Sequence, residues 1–371
     1  MTRAFFGRLA QRSRTVRAAV VIGLLLLIGS VDVVTSPDLS FLAFYFLPVI
    51  LASWFLGRRE GLAIALASVA LWTLDDMVSH RHYSHPGIPI WNRSIGLAFF
   101  VFLSWLTGSL KVALERDMRA RSEALERDLA MARDVQAALL PTRWQDGNGF
   151  AVAAECRQAF GVGGDAYDLE SLGSDALAVA VADVSGKGMP AALLMASFLA
   201  SFRGLLSFRA GRLDILAEDL SERLRTSLDA PRFVTAFIGV VEDGALRYVN
   251  AGHEAGLLFR PGADAAGAVR LRSTGPALGI LPGARFREVR VPFPRDALLV
   301  LFTDGLTECA NGAGDEFGAT RVAEAAASFS QAAPIRIVEG LLRAAETHAA
   351  GEPFSDDVTI VCVRRRGAKA A

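Results

Sequence analysis

The stretch that decides the fold is Ala180-Val181-Ala182-Asp183-Val184-Ser185-Gly186-Lys187-Gly188-Met189-Pro190-Ala191-Ala192. It closes an apolar run, Ala176 to Val184, which predicts a short buried strand because it is rich in Ala and Val and ends at glycines. The glycines permit a tight turn, and Pro190 suits the first turn of a helix. Asp183 then lies between a strand end and a helix start, where it can contact a metal ion or a phosphate. For this stretch alone, an Asp that caps a turn is the alternative.

Other aspartates recur in the same setting, beside a strand-like run and next to a glycine or a second aspartate. They are Asp165, after the apolar piece Phe150 to Ala154; Asp304, after the run Ala297 to Phe302; and Asp356-Asp357, before the run Val358 to Val363. Mg²⁺ and Mn²⁺ prefer carboxylate, carbonyl and water oxygens as ligands. We therefore expect strand ends of one core to bring these four places together.

Composition separates the chain into two parts. Hydrophobic residues make up 52% of the 371 residues and the mean hydropathy is +0.34, with the excess before about residue 110. The formal net charge is +0, so no global charge favours nucleic-acid binding. The 3 cysteines lack paired spacing, which disfavours a disulfide framework or a zinc site and fits a reducing cytoplasm.

Four apolar stretches with short connections predict a membrane region near the N-terminus. They are Val16 to Val34, Phe41 to Leu56, Leu62 to Val78, and Ile95 to Leu110. A buried helix is the alternative for any single stretch, and a cleaved signal peptide is the alternative for the first.

Basic residues in the connections predict the orientation of these spans. Arginines precede the first span, Arg58 and Arg59 lie between the second and third, and Lys111 and further arginines follow the fourth. We expect an inner-membrane, multi-pass protein with both termini in the cytoplasm. His80, His82 and His85 would then lie outside, as metal ligands, pH sensors or solvated loop residues. Asp75 and Asp76 would be interfacial or line a small polar cavity.

The segment Lys111 to Leu140 lacks Gly and Pro and predicts one long helix that continues the fourth span. A weak coiled-coil seam, broken by Arg121, predicts a homodimer through this helix; an amphipathic linker packed on its own domain is the alternative. The seam residues are Leu114, Met118, Leu125, Ala132 and Leu139. The predicted divisions are a membrane region 1–110, a connecting helix 111–141 and a cytoplasmic domain 142–371.

Strand and helix patterns alternate in the cytoplasmic part. Predicted strands are Phe150 to Cys156, Ala176 to Asp183, Val234 to Val241, Leu246 to Asn250, Phe286 to Pro292, Leu298 to Thr303 and Val358 to Val363. Predicted helices are Pro190 to Phe208, Leu213 to Leu228, Ala319 to Phe329 and Pro334 to Ala349. Turns such as Glu242-Asp243-Gly244 predict hairpins, and hence mostly antiparallel sheets with helices packed outside.

This domain resembles the SpoIIE/RsbU-type serine/threonine phosphatases, a branch of the metal-dependent (type 2C-like) protein phosphatases. The resemblance rests on six motifs in order, from Gln136 to Arg364. They are Gln136-Ala137-Ala138-Leu139-Leu140-Pro141, Gly163-Gly164-Asp165-Ala166-Tyr167-Asp168, Asp183-Val184-Ser185-Gly186-Lys187-Gly188, Asn250-Ala251-Gly252-His253, Thr303-Asp304-Gly305-Leu306-Thr307-Glu308 and Asp356-Asp357-Val358-Thr359.

The resemblance implies an α+β fold, a four-layer α-β-β-α sandwich, that holds two Mn²⁺ or Mg²⁺ ions. By motif position, Asp165 and Asp183 would bind or bridge the ions, and the Val184 carbonyl would be a further ligand. Asp304 and the Asp356-Asp357 pair would complete the site, with Asp356 as the preferred ligand of that pair. The implied substrate is a phosphorylated anti-sigma-factor antagonist of the STAS type.

Two departures from the family pattern are Ala166, where an aromatic residue is usual, and Gln158, where a proline is common. Neither is a carboxylate position, so they bear on substrate fit rather than on activity. His253 is either a structural residue or a proton donor to the leaving group. A catalytically inactive receptor or scaffold is the alternative function for the whole chain, and a small transporter or membrane chaperone has little support because intramembrane charges are few.

Overall fold

The structure, a computed structural model, describes residues 9–35, 41–78, 85, 87–141, 144–147, 149–159, 161–173, 175–226 and 232–366. The chain divides into two compact units, residues 1–125 and 126–371. Among the predicted external histidines, His80 and His82 lie outside the described residues. His85 is exposed, and its Nδ1 accepts a hydrogen bond from the Gly87 N–H at 3.1 Å.

The first unit is helical. It contains α1 (Arg14–Val34), a 3-10 turn (Leu42–Tyr45), α2 (Phe46–Phe55), α3 (Arg58–Val78) and the first part of α4 (Gly87–Leu139). Their shared core buries aromatic and aliphatic side chains such as Tyr45, Trp72 and Phe100. Asp75 and Asp76 are buried, and the Asp76 carboxylate pairs with Arg93 at 3.2 Å. The two aspartates are thus buried among the helices of this unit.

Three of the four apolar stretches lie in long helices, and the second does not. The segment Leu42–Phe55 is shorter, because a 3-10 turn precedes α2 and Pro48 falls in the first turn of α2, where a missing N–H is tolerated. At 1.5 Å per residue it extends roughly 20 Å, less than the ~30 Å of a hydrocarbon core. The second span, over Phe41 to Leu56, therefore stays a prediction, carried by a shorter apolar helix than those of the other three stretches.

Four described helices are long and apolar enough to cross a membrane by length and composition: α1, α3, α4 and α5 (Met189–Arg209). Helix α5 is nevertheless packed in the second unit. Its side chains Leu194, Phe198 and Phe202 are buried in a hydrophobic cluster shared with a β-sheet. The apolar character of α5 is explained by this packing.

The second unit is built on two antiparallel sheets. The first has the strand order β1-β2-β11-β10-β7-β8 and the second has β3-β4-β5-β6-β9. The strands are β1 (Trp144–Gly147), β2 (Phe150–Arg157), β3 (Ala166–Gly173), β4 (Ala176–Val184), β5 (Val234–Glu242), β6 (Ala245–Ala251), β7 (Gly256–Phe259), β8 (Val269–Leu271), β9 (Val289–Pro292), β10 (Leu298–Phe302) and β11 (Val358–Arg365).

Helices cover the outer faces of both sheets. α5 and α6 (Leu213–Thr226) pack on the second sheet. α8 (Gly318–Ser328) and α9 (Pro334–Ala349) pack on the first, and the short α7 (Asp304–Thr307) follows β10. A third cluster fills the space between the sheets. The α+β fold, a four-layer α-β-β-α sandwich, is thus confirmed.

Strand β4, which leads into the Asp183 turn, contributes side chains to two of these layers. Its Ala178, Ala180 and Ala182 face the helices, whereas Val179 and Val181 face the other sheet. Side chains alternate between the faces of a strand, so small residues admit α5 closely and branched ones fill the inter-sheet core. The sequence of β4 is apolar at successive positions because both faces of the strand are covered.

The predicted hairpin between β5 and β6 is confirmed. Glu242 pairs with Ala245, and the two turn residues Asp243 and Gly244 have positive φ angles of 48° and 70°. Two-residue turns of this kind match the twist of the strands. Strands β1, β3, β7 and β8 were not predicted, and β9 is shorter than the predicted Phe286 to Pro292.

Candidate metal centre

The register of β3 and β4 places two of the predicted aspartates opposite each other. Ala166 pairs with Ala182, so the flanking residues Asp165 and Asp183 face one another across the antiparallel pair. Asp165 directly precedes β3 rather than ending the earlier strand β2, because the loop after β2 returns to start a new strand. The prediction that Asp165 follows a strand end is corrected in this respect.

The other sheet supplies the remaining aspartates. Asp304 begins α7 after β10, and Asp356-Asp357 precede β11, which pairs with β10. Thr303 N–H donates to the Thr359 carbonyl at 3.1 Å, which holds these two strand ends together. Gly305 allows the close approach, since a Cβ there would lie only 2.0 Å from the Asp357 carbonyl oxygen. The predicted carboxylates thus meet where the two sheets end.

Two hydroxyl groups from the other sheet and its strand end hold the Asp165 side chain in place. Its Oδ2 accepts hydrogen bonds from the hydroxyls of Thr303 and Thr359, each at 2.7 Å, and the side chain is fully buried. Burial, followed by the negative charge of Asp183, raises the pKa of Asp165 well above its usual range. Thr303 and Thr359 belong to the quoted motifs, but their role as donors to Asp165 depends on the pairing of two sheets.

Asp183 interacts electrostatically with several other acidic side chains. Burial, followed by the charges of Asp304, Asp356, Asp357 and Glu308, raises its pKa to about 7. Asp304 has a raised pKa for the same reasons, burial and then Asp356. These mutual effects show that the carboxylates share one region.

Two further acids border this region and were not predicted as site residues. The pKa values of Glu308 and Glu254 are raised, in both cases by burial first and then by Asp304. Glu308 is the last residue of the Thr303–Glu308 motif, whereas Glu254 directly follows His253, the last residue of another motif. Only the fold shows that both approach Asp304.

Asp356 and Asp357 differ in their surroundings. Asp356 Oδ2 lies 2.9 Å from Lys187 Nζ, and its side chain is partly exposed. Both carboxylate oxygens of Asp357 accept backbone N–H groups, from Ala159 and Gly164, at 2.8 Å each. Asp357 therefore secures the loop before Asp165, while Asp356 faces the shared acidic region.

Gln136, near the end of α4, is joined to the same loop. Its Nε2 donates to the Gly163 carbonyl at 2.6 Å and its Oε1 accepts from the Gly163 N–H at 3.1 Å. Gln158 donates to the same Oε1 at 2.7 Å, a bond that proline, the common family residue, could not make.

Arg203 caps the end of α4 by donating to the Leu139 carbonyl at 2.7 Å, and it also pairs with the buried Asp168.

His253 has the surroundings of a structural residue. It is buried, its Nδ1 shares a hydrogen bond with the Thr235 hydroxyl at 2.9 Å, and its N–H donates to Asn250 Oδ1. Burial lowers its pKa to about 4, so the imidazole is neutral at pH 7. A neutral, enclosed imidazole is poorly suited to protonate a leaving group.

The acidic region fits divalent cations by its chemistry. Several carboxylates lie together in this region. Among the contacts described, one ammonium group, that of Lys187, pairs with them. Within the described residues, no group of three or more His, Cys, Asp or Glu side chains is arranged around one ion. Mg²⁺ needs only one or two carboxylates, because it retains several waters. The aspartates of this region are of the residue type that Mg²⁺ and Mn²⁺ prefer.

Comparison with known proteins shows the family of the chain. The family described as Stage II sporulation protein E (SpoIIE) matches residues 173–366, just over half of the chain. The chain belongs to the SpoIIE family. The match contains β4, the Asp183 turn, Asp304 and the Asp356-Asp357 pair, whereas Asp165 lies before it.

Two individual proteins are also similar to this chain. The chain is 28% identical to Protein IcfG of Synechocystis sp., over 70% of this chain and 45% of IcfG, so it spans less than half of that protein. It is 25% identical to phosphoserine phosphatase RsbU of Bacillus subtilis, over 67% of this chain and 73% of RsbU.

Solved structures share the fold. The SiaA-PP2C domain of Pseudomonas aeruginosa superposes with a TM-score of 0.57 at 22% identity, covering 66% of this chain and 98% of that one. The PP2C phosphatase domain of SpoIIE from Bacillus subtilis, with a fragment of its regulatory domain, gives 0.51 at 18% identity, covering 61% and 65%. The sandwich is therefore of the PP2C type.

Proposed function

We propose that this chain is a membrane-anchored, metal-dependent serine/threonine protein phosphatase that hydrolyses phosphoserine or phosphothreonine on a signalling protein. The observation that carries the proposal is the meeting of Asp165, Asp183, Asp304 and Asp356 where the two sheets end, with raised pKa values at Asp165, Asp183 and Asp304. Membership of the SpoIIE family and similarity to the phosphoserine phosphatase RsbU support it.

In this proposal Asp165, Asp183 and the Val184 carbonyl hold two Mn²⁺ or Mg²⁺ ions together with Asp304 and Asp356. Asp357 keeps the loop of Asp165 in place through its two backbone hydrogen bonds. Divalent cations held by these residues would supply charge neutralisation of the phosphate oxygens and a lowered pKa of water. The carboxylates fix the positions of the cations, and positioning with charge stabilisation is what phosphoryl transfer chiefly requires.

The proposed substrate is a phosphorylated anti-sigma-factor antagonist of the STAS type, as the family resemblance implies. Membrane anchoring is supported by α1, α3 and α4, which are long and apolar enough to span a bilayer. A homodimer through α4 is supported by the exposure of its apolar residues Leu114, Met118 and Leu125. No charge excess favours nucleic acid as a partner.

The test uses the full-length chain in detergent with a phosphoserine peptide. Phosphate release should require Mn²⁺ or Mg²⁺ and stop on chelation. Asp304→Asn should lose turnover while still retaining the phosphorylated antagonist in a pull-down, since most of the acidic region remains. Asp243→Asn is the matched control, because Asp243 lies in the exposed hairpin at the opposite end of β5.

If the chain were a catalytically inactive scaffold, the opposite results would be expected. A scaffold would retain the phosphorylated partner in the wild-type chain as strongly as in Asp304→Asn and would release no phosphate with either metal. The complete set of aspartates argues against it. Metal-independent release of phosphate would contradict both functions.

A further inference from the structure

Three chain segments lie side by side next to the metal centre. The Ser185 N–H donates to the Phe233 carbonyl at 3.0 Å, and the Phe233 N–H donates to Ser185 Oγ at 2.9 Å. Val234 and Leu278 exchange two backbone hydrogen bonds, at 3.0 and 2.8 Å. The Ser185–Gly188 turn, residues 232–233 and residues 278–281 therefore adjoin one another at the ends of the interior strands β4 and β5, and we call this strip the edge.

Arg232 stands in the middle of this edge with an unused donor. Its Nη1 is buried and has no hydrogen-bond partner among the described residues. Gly186 lies directly beside it, since a Cβ at Gly186 would be 3.7 Å from Nη1, an ordinary van der Waals distance. A buried donor without a partner is unfavourable, and a guanidinium group prefers a carboxylate or phosphate. The position thus suits an anion that comes from outside the chain.

Lys187 connects this edge to the metal centre. It follows Gly186 directly, and its Nζ lies 2.9 Å from Asp356 Oδ2. Helix α5 begins at Met189, so the partial positive charge of its N-terminus points to the same place. The edge is therefore cationic where it adjoins an acidic region.

Exposed apolar side chains lie on two segments that adjoin this edge in the chain. Met189 and Leu193, one turn apart on α5, are 39% and 66% exposed. Ile280 and Leu281, directly after the segment paired with β5, are 49% and 53% exposed. Single exposed aliphatic residues are ordinary, but four beside a cationic edge are typical of a protein-binding surface.

We propose that Lys187, Met189, Leu193, Arg232, Ile280 and Leu281 form a docking surface for the phosphoprotein substrate, and that Arg232 binds an acidic side chain near the phosphoserine. This inference rests on the proposed phosphatase function. Gly186 is three residues from Asp183 and consecutive Cα atoms are about 3.8 Å apart, so the acidic side chain should lie roughly one to three residues from the phosphoserine. The apolar residues contact the flanks of the same segment.

The test compares two phosphoserine peptides that differ only in Glu or Gln at the three positions on each side. With the full-length chain and Mn²⁺, the ratio of kcat/KM for the Glu peptide to that for the Gln peptide should be about tenfold, the value of one charge-assisted hydrogen bond. Arg232→Gln should reduce the ratio to about twofold or less, and Arg232→Lys should restore part of it. Arg260→Gln, on an exposed arginine after β7, should keep the wild-type ratio.

A second measurement, free of turnover, uses fluorescence anisotropy of the labelled Glu peptide bound to the Asp304→Asn chain. Leu193→Asp should weaken binding at least tenfold, whereas Phe208→Asp, an exposed residue near the other end of α5, should not change it. Binding that depends on Arg232, together with no hydrolysis by the wild-type chain with Mn²⁺, would contradict the phosphatase function and leave the surface supported.

Other outcomes would overturn the surface itself. Metal-dependent hydrolysis with no effect of Arg232→Gln on the Glu/Gln ratio would do so and leave the phosphatase function intact. Equal binding of a Glu peptide without phosphoserine would also overturn it, because the surface would then serve a partner other than the substrate.

Discussion

The protonation of Asp183 links the metal centre to pH. Burial, then the neighbouring carboxylates, raises its pKa from the usual 3.8 to about 7. The folded chain therefore binds this proton more tightly than the unfolded chain does. Without metal, this stabilisation is present below pH 3.8 and is lost as the pH rises through about 7.

We expect the melting temperature of the chelated full-length chain to fall as the pH is raised from about 5 to about 8. Mn²⁺ affinity should rise over the same range, because a carboxylate ligand must first lose its proton. Asp183→Asn should flatten both dependences, and Asp243→Asn should keep them. If the melting temperature of the wild-type chain did not change with pH, other titrating groups would have to offset the effect of Asp183.

The Asp165 carboxylate depends on two hydroxyl donors. Thr303→Val should destabilise the chain by about 1–3 kcal/mol, because a buried carboxylate loses one donor and the Thr359 N–H loses its acceptor at 2.9 Å. Thr347→Val, on the exposed side of α9, should cost less than about 0.5 kcal/mol. Chemical denaturation with chelator present measures the difference. Equal effects of the two substitutions would remove Thr303 from the support of Asp165.

The positions of the carboxylates could be predicted from local sequence, but their partners could not. Asp183, Asp304 and Asp356 stand beside strands and glycines, which a single sequence shows. Arg232 carries no local signal, and Lys187, although it lies in one of the motifs, gives no sign of its pairing with Asp356, because these contacts join segments far apart in the chain. Such contacts follow from sheet pairing, which periodicity does not specify.

Among the elements, β4 and β11 were predictable because both faces are buried and the runs are apolar. Strand β3 was not, because it carries Asp168 and Glu170 in place of an apolar run. Asp168 is fully buried only because Arg203, 35 residues later on α5, pairs with it at 2.8 Å. A tertiary ion pair therefore overrides the local pattern of that strand.

Helix α4 is continuous from Gly87 to Leu139 and carries Gln136, which contacts the loop before Asp165. We propose that it transmits a rotation or shift of its membrane part to the metal centre, since no Gly or Pro lies between Leu110 and Leu140. Inserting two glycines after Arg121 should change the metal-dependent rate of the full-length chain severalfold.

Duplicating residues 115–121 provides the control for this insertion. A whole heptad restores the phase of the seam, so the rate should stay within about twofold of wild type. If the glycine insertion leaves the rate and its response to the membrane environment unchanged, α4 is only a tether and the transmission hypothesis fails.

For the whole molecule, the distribution of basic residues predicts both termini in the cytoplasm. A reporter fused after Ser84 should be active only outside the cytoplasm, and one fused after Lys111 only inside. Because the second apolar segment is short, this measurement also tests whether Leu42–Phe55 completes a crossing. The reverse pattern would mean that the segment does not cross and that the C-terminal unit has another location.

The measurement that tests the central claim most directly combines Mn²⁺ binding with phosphate release in one sample of the full-length chain. Wild type and Asp243→Asn should bind two ions and release phosphate from a phosphoserine peptide as the sites fill. Asp183→Asn should bind fewer ions and lose turnover by at least about a hundredfold, because one shared anion between two cations is removed. Turnover in the presence of chelator, or a fully active Asp183→Asn, would contradict the account.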